Sequence, residues 1–230
     1  MARHLDPWML GAAVLAAAFG ADRLAHAEEP PSQVRPDVER VPSQALWTGT
    51  RVGVFIPYGS LYTDRALVTT PFQDVATAGP SIELDVGARF ARQFVGYVFF
   101  DQAFLGRGNS VAWTAPHGGQ SAPSSQAVGI GLRWESNPNG LGVVADVGVA
   151  YRWFTARWDD ATTLRMHGPG DVRLGLGASW RITRNVTLAP MMTAFSGVFA
   201  NRALDDQKLG ESASSYAAVT LTLNGHLDFY

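Results

Sequence analysis

The charged side chains of this chain keep an even spacing within each segment. Glu83, Asp85 and Arg89 share one parity, as do Arg133 with Glu135, Asp146 with Arg152, and Asp171 with Arg173 and Arg181. Arg51 and Asp228 sit in stretches with the same alternation. A spacing of two puts side chains on one face of a strand, so these acids and bases belong to one face of a sheet. There they could interlock as ion pairs or line a path for protons or ions. Arg133 and Asp146 are expected to lie close together, because the turn residues Ser136-Asn137-Pro138-Asn139-Gly140 join their segments.

Other chemistry is thinly supplied. His117, His167 and His226 show no metal-ligand spacing. There is no cysteine, hence no thiolate and no disulfide. Neither a G-x-S-x-G nor a His-x-Ser pair occurs. The glycines of Val128-Gly129-Ile130-Gly131 and Leu174-Gly175-Leu176-Gly177 lack the third glycine and the following helix of a dinucleotide loop. They belong instead to a repeated φ-G-φ-G-x-x-W pattern ending at Trp134 and Trp180, where they leave room for neighbouring Arg and Asp. No catalytic residue, cofactor or metal is therefore expected. A net charge of −2 removes the electrostatic case for nucleic-acid binding.

The elements that position these charges are segments of similar length with period-two alternation. They cover residues 46–56, 81–90, 94–105, 126–135, 141–153, 171–182, 186–198 and 216–230, an even number of strands. Val128, Ile130, Leu132 and Trp134 oppose Gly129, Gly131, Arg133 and Glu135; Val143, Ala145, Val147 and Val149 oppose Asp146, Gly148 and Arg152. Residues 94–105 are apolar on both faces and leave open whether Asp101 or Gln102 joins the charged face. Pro190 removes a ladder hydrogen bond and is expected to mark a bulge.

The connections decide which face is inside. Long links (58–80, 106–125, 159–170 and 201–214) alternate with short ones (91–93, 137–140 and 183–185), which places every long loop at one end. Phe90, Trp134, Trp180 and Phe229 fall on the apolar face at the short-turn end, with Tyr151 and Trp153 at the long-loop end. Two aromatic belts flanking an apolar band mark membrane interfaces. Ten tilted residues span on the order of 23 Å, close to such a band. The reading is an all-β, eight-stranded, antiparallel, up-and-down transmembrane barrel with its charges inside as a packed plug.

Residues 1–27 read as an export signal: Arg3, the apolar stretch Trp8 to Gly20, and Ala25-His26-Ala27 as a cleavage site. Residues 28–44 read as a flexible Pro-rich leader, and 45–230 as the barrel. No 18 consecutive apolar residues occur, so a mature transmembrane helix is not expected.

Over residues 45–230 the pattern resembles the small eight-stranded bacterial outer-membrane barrel superfamily, which includes the membrane domain of outer membrane protein A. Phe229 has the outward parity of the terminal aromatic of such barrels, although Tyr230 follows it, one residue off the usual pattern. The resemblance implies a monomer without a wide channel in a Gram-negative outer membrane, its leader in the periplasm. It implies contacts with lipid, with lipopolysaccharide and with the outer-membrane assembly machinery. Arg65, Arg107, Arg157, Arg165 and Arg202 stand at the height of lipopolysaccharide phosphates. The acidic pairs Asp159-Asp160 and Asp205-Asp206 are placed to share divalent ions. The expected role is envelope integrity or contact through the loops, without catalysis. The alternatives are a conduit for hydrophobic compounds, a soluble lipocalin-like binder and a lipid A-modifying enzyme.

Overall fold

A computed structural model describes residues 41–63, 69–108, 122–205, 207–208 and 214–229. The export signal and most of the leader lie outside the described residues, as do Arg65, His117, Asp206 and Tyr230. Eight long strands form the wall: β1 (Ala45–Thr63), β2 (Gly79–Ala91), β3 (Phe94–Phe104), β4 (Ala122–Glu135), β5 (Leu141–Arg157), β6 (Thr163–Arg181), β7 (Val186–Phe199) and β8 (Ser214–Phe229). Each pairs antiparallel with its sequence neighbours, and β8 closes on β1. This is an eight-stranded, antiparallel, up-and-down transmembrane barrel.

The register fixes its girth. Thr48 pairs with Val86, then the row runs through Val98, Ile130, Val149, Val172, Ser196 and Ala217. It returns to β1 at Tyr58, ten residues further along. With eight strands, a shear of ten and standard strand spacings, the strands tilt by about 41° on a radius of about 8 Å. That interior holds side chains and no open channel.

Alternation sorts the residues cleanly. Val86, Val98, Ile130, Val147, Val149, Leu221 and Leu223 are exposed on the outer wall. Inside, the half nearer the long loops holds rings and aliphatics: Phe55, Phe154, Phe195, Phe199, Tyr216 and Met166 pack with Phe72 and Val75 of a one-turn helix. The charges fill the middle and the short-turn half.

The structure decides one point left open and departs from expectation at three. β3 turns Asp101 inward, and Gln102 faces out, where Gln126 Nε2 donates to its Oε1 at 2.7 Å. Pro190 causes no bulge: β7 keeps one register along β8, and within its Thr187 to Ser196 pairing with β6 the register is constant, with the pairs of Ala189 and Pro190 missing. The outward proline faces lipid and gives up one ladder bond without an extra residue. The irregularity sits in β6, where the register against β5 shifts between Ala150 and Tyr151. Gly170, at φ 92°, takes up the extra residue, a conformation glycine adopts without strain. Residues 159–170, expected as a loop, are therefore mostly strand, since β5 and β6 pair up to Arg157 and Thr163.

Candidate functional site

The interior ion pairs form three connected sets. At the short-turn end, Arg89 Nε lies 3.1 Å from Asp228 and its Nη1 3.2 Å from Glu135. Arg181 Nη2 is 2.7 Å from Asp228. The same two arginines donate to turn carbonyls, Arg89 to Arg92 O at 2.6 Å and Arg181 to Pro138 O and Arg184 O at 2.5 Å. They thereby tie all three short turns to the plug. Val41, at the end of the expected leader, is buried here and donates to Asn139 Oδ1 at 2.9 Å.

In the middle set, Arg133 meets Asp146 through Nε at 2.9 Å and Nη2 at 3.1 Å, and the pair is fully buried. The expected proximity of these two is thus met by a two-pronged contact. Arg51 Nη1 approaches the same Asp146 at 2.6 Å, while its Nε lies 2.8 Å from Asp85 and 3.0 Å from Glu83. Arg173 grips Glu83 with both Nη atoms, at 2.8 and 2.7 Å. His226 sits beneath, 2.7 Å from Arg133 Nη1, stacked on Trp47 at 4.6 Å.

The third set lies nearer the long loops. Arg152 Nε is 2.6 Å from Asp171 and its Nη2 is 3.1 Å from Asp101, with Ser125 Oγ accepting from Nη1 at 3.0 Å. Rings cover the guanidinia. Arg152 Cζ stands 5.2 Å from the centroids of Phe55 and Phe195, and Arg173 Cζ 4.0 Å from that of Phe99. Cation–π contacts of this kind grow stronger when desolvated. Every one of Arg51, Glu83, Asp85, Arg89, Arg133, Glu135, Asp146, Arg152, Asp171, Arg173, Arg181 and Asp228 is buried.

Sequence reasoning missed the inward rings Trp47, Phe55, Tyr97, Phe99, Phe154 and Phe195. Except for Phe195, whose strand carries no charge, their parity matches that of the charges on their own strands, which was the available signal. Glycines make the space: a Cβ at Gly131 would collide with the Tyr97 ring, and one at Gly129 with Phe99.

The outer wall carries the expected aromatics. Phe90, Trp134, Trp180 and Phe229 are exposed near the short turns, with Phe94 stacked on Phe90 at 6.0 Å. Tyr151 and Trp153 lie at the other end, 4.7 Å apart between ring centroids, and Tyr151 hydrogen-bonds His167 Nδ1. Arg157 and Arg165 project outward beyond this ring and are exposed. Arg165 pairs in register with Thr155, two residues from Arg157, so the two residues are diagonal cross-strand neighbours, about 7–8 Å apart at the backbone. A shallow polar hollow of about 240 Å³ adjoins them, lined by Ala161, Thr163, Arg165 and Asp205.

Other basic candidates fare differently. Arg107 is exposed on the short strand Gly106–Arg107, which pairs with Ala76–Thr77. Arg202 is only 5% exposed and pairs in register with buried Met166, so it turns inward and cannot reach a lipid phosphate. Asp160 serves its own turn, its Oδ1 accepting from Thr162 N at 2.9 Å, and Asp205 Oδ1 accepts from Thr163 N at the start of β6 at 2.7 Å. Among the described residues no cluster of metal-binding side chains occurs.

No family model and no curated protein sequence matches the chain. Among solved structures, it is similar to Neisserial surface protein A, with 10% identity and a TM-score of 0.53 over 82% of this chain and 100% of that one. It is also similar to a major outer membrane protein from Thermus thermophilus, with 14% identity and a TM-score of 0.50 over 82% of this chain and 100% of that one. At these identities the likeness is one of fold: the chain has the fold of the small eight-stranded outer-membrane barrels.

Proposed function

We propose that the protein is a non-conducting barrel of a Gram-negative outer membrane that supports the envelope and binds lipopolysaccharide at its long-loop end, without catalysing a reaction. The observation that carries this reading is the placement of Arg157 and Arg165, side by side and outward, just beyond the Tyr151–Trp153 ring. Aromatic rings of this kind settle at headgroup level, which sets the two guanidinia against the phosphates of the outer leaflet. Each exposed guanidinium presents N–H donors that a phosphate oxygen accepts in charge-assisted contacts.

The sealed interior supports the same reading. Three ion-pair sets and the aromatic cluster fill the described interior with buried side chains, and at Pro190 β7 keeps its pairing with β8 while the pairs toward β6 are missing. A conduit for hydrophobic compounds would need a path between these buried side chains. A soluble lipocalin-like binder would carry its apolar side chains inward, whereas here they face out.

The test is charge reversal. Arg157→Glu with Arg165→Glu should lower the lipopolysaccharide retained through detergent purification several-fold, while heat-modifiable gel migration stays normal. Retention equal to that of the unaltered protein would refute the lipopolysaccharide part of the proposal.

A further inference from the structure

An oblique polar stripe crosses the outer wall at its long-loop end. Gln102 of β3 pairs in register with Gln126 of β4, and Gln126 with Trp153 of β5. Trp153 pairs with His167 of β6, and His167 with Asn201 of the short strand Asn201–Leu204. All five turn outward: each is exposed or half-buried, while their chain neighbours Asp101, Ser125, Arg152, Met166 and Arg202 are buried. Contacts run along the stripe. Gln126 Nε2 donates to Gln102 Oε1 at 2.7 Å, the Trp153 ring packs against Tyr151, and Tyr151 hydrogen-bonds His167 Nδ1. The next row toward the membrane centre, Phe100, Val128, Tyr151 and Pro169, is apolar but for the Tyr151 hydroxyl.

Strand tilt sets the depth of each group. A row that leaves β1 at Thr48 returns to it at Tyr58, nearer the long loops. At a tilt of about 41° and a strand spacing of about 4.8 Å, such a row rises by about 3 Å per strand. Gln126 therefore lies about 3 Å and Gln102 about 6 Å below Trp153, with His167 and Asn201 above it. Trp153 and Tyr151 mark headgroup level, which sets the two amides where acyl chains join their headgroup. Amides at that depth are costly unless they find partners. The pair satisfies itself only in part: one N–H of Gln126 reaches Gln102, and among the described residues nothing engages Gln126 Oε1. That oxygen needs a donor. The linkages of a glycerophospholipid are esters, which only accept. Amide-linked, hydroxylated acyl chains carry N–H and O–H donors at that depth.

We propose that this stripe is a subsite for the acylated amino sugar at the base of lipopolysaccharide. Gln102 and Gln126 take the amide and hydroxyl groups where its acyl chains begin. The Trp153 ring lies against a sugar face, and His167 and Asn201 take sugar hydroxyls. Arg165 follows His167 by two residues toward the loops and Arg157 follows Trp153 by four, so one molecule reaches the stripe and both cations. The subsite rests on the lipopolysaccharide contact proposed for those cations and extends it from the phosphates to the sugar and its acyl linkages.

The test uses the full chain folded in detergent, with lipid binding read by native mass spectrometry. Three probes separate the chemistries: lipid A, lipid A stripped of its phosphates, and phosphatidylglycerol, which has a phosphate but no amide. Gln102→Leu with Gln126→Leu should lower affinity for both forms of lipid A about tenfold, the scale of one to two net hydrogen bonds, and leave phosphatidylglycerol unchanged. Trp153→Phe, which keeps a ring, should retain more binding than Trp153→Ala. Charge reversal at Arg157 and Arg165 should weaken only the phosphorylated form. Unchanged binding of dephosphorylated lipid A by the double leucine variant would overturn the subsite. So would dephosphorylated lipid A binding to the unaltered protein no better than phosphatidylglycerol. Lipid A that still responds to charge reversal would then leave the phosphate contact standing. Binding that ignores charge reversal yet needs the glutamines would instead remove the phosphate contact and keep the subsite. Heat-modifiable migration checks that each variant folds, and Gln126→Leu alone carries the same expectation if the double variant does not.

Discussion

Replacing Asp146 by alanine tests how much the middle ion-pair set contributes to the fold. The carboxylate receives three short contacts, from Arg133 Nε and Nη2 at 2.9 and 3.1 Å and from Arg51 Nη1 at 2.6 Å. None of these groups reaches solvent. Removing the acid takes from buried Arg133 its carboxylate partner and from Arg51 one of three, the others being Asp85 and Glu83, and breaking a buried pair costs about 3–5 kcal/mol. Arg133→Met should cost a similar amount, because Asp146 keeps Arg51 but loses two donors. The double variant should cost less than the two singles together, by about 1–3 kcal/mol, since each change removes the other's stranded charge. The assay is urea unfolding in lipid vesicles, followed by the gel shift between boiled and unboiled protein and by tryptophan emission. An Asp146→Ala cost below about 1 kcal/mol, the level of an exposed pair, would refute the claim that this set is sealed and structural.

Further consequences follow from the wall and the packing. Val147→Arg, on the outer face midway along β5, should destabilise insertion by about 2–4 kcal/mol in the same titration, whereas Leu141→Arg at the short-turn end should cost about 0–1 kcal/mol; equal costs would place the apolar band wrongly. Gly131→Val should cost about 1–3 kcal/mol through its collision with Tyr97, and Tyr97→Ala in the same chain should recover part of that in the same unfolding measurement. In planar bilayers the purified protein should show no steady conductance, and Arg152→Ala should remain closed because the Phe55, Phe154, Phe195 and Phe199 packing lies across the same half. A stable open level in the unaltered protein would contradict the sealed interior.

Much of the wall was legible because its signal is local. A period of two needs only neighbouring residues, so β2, β4 and β5 stand out, and the short turns at Asn137 and Thr183 fix the strand pairing. The charged face was legible for the same reason, and the strands it occupies follow directly. Strand β3 was not, because Tyr97 and Phe99 are as apolar as Val98 and Phe100, and only the closed barrel shows which pair meets Arg51 and Arg173. The aromatic half of the interior escaped notice because composition alone does not say that an inward ring covers a guanidinium from another strand. Gly170 hid the extension of β6: a residue added at a bulge reverses parity, and Arg165 and His167 then read as loop. Arg202 looked like a rim cation because its neighbours are polar, yet its pairing with Met166 turns it inward.

The side of the wall that faces lipid fixes where every charge and ring of this barrel lies. The chain has no cysteine, so single cysteines can be introduced along β4 and β5 and labelled in lipid vesicles with a bilayer-restricted probe. Cysteines at Ile130, Leu132, Val147 and Val149 should label readily, and those at Gly131, Asp146 and Ala150 should not. The reverse pattern, or equal labelling at both parities, would contradict a barrel that turns its apolar face to the membrane and closes its charges inside.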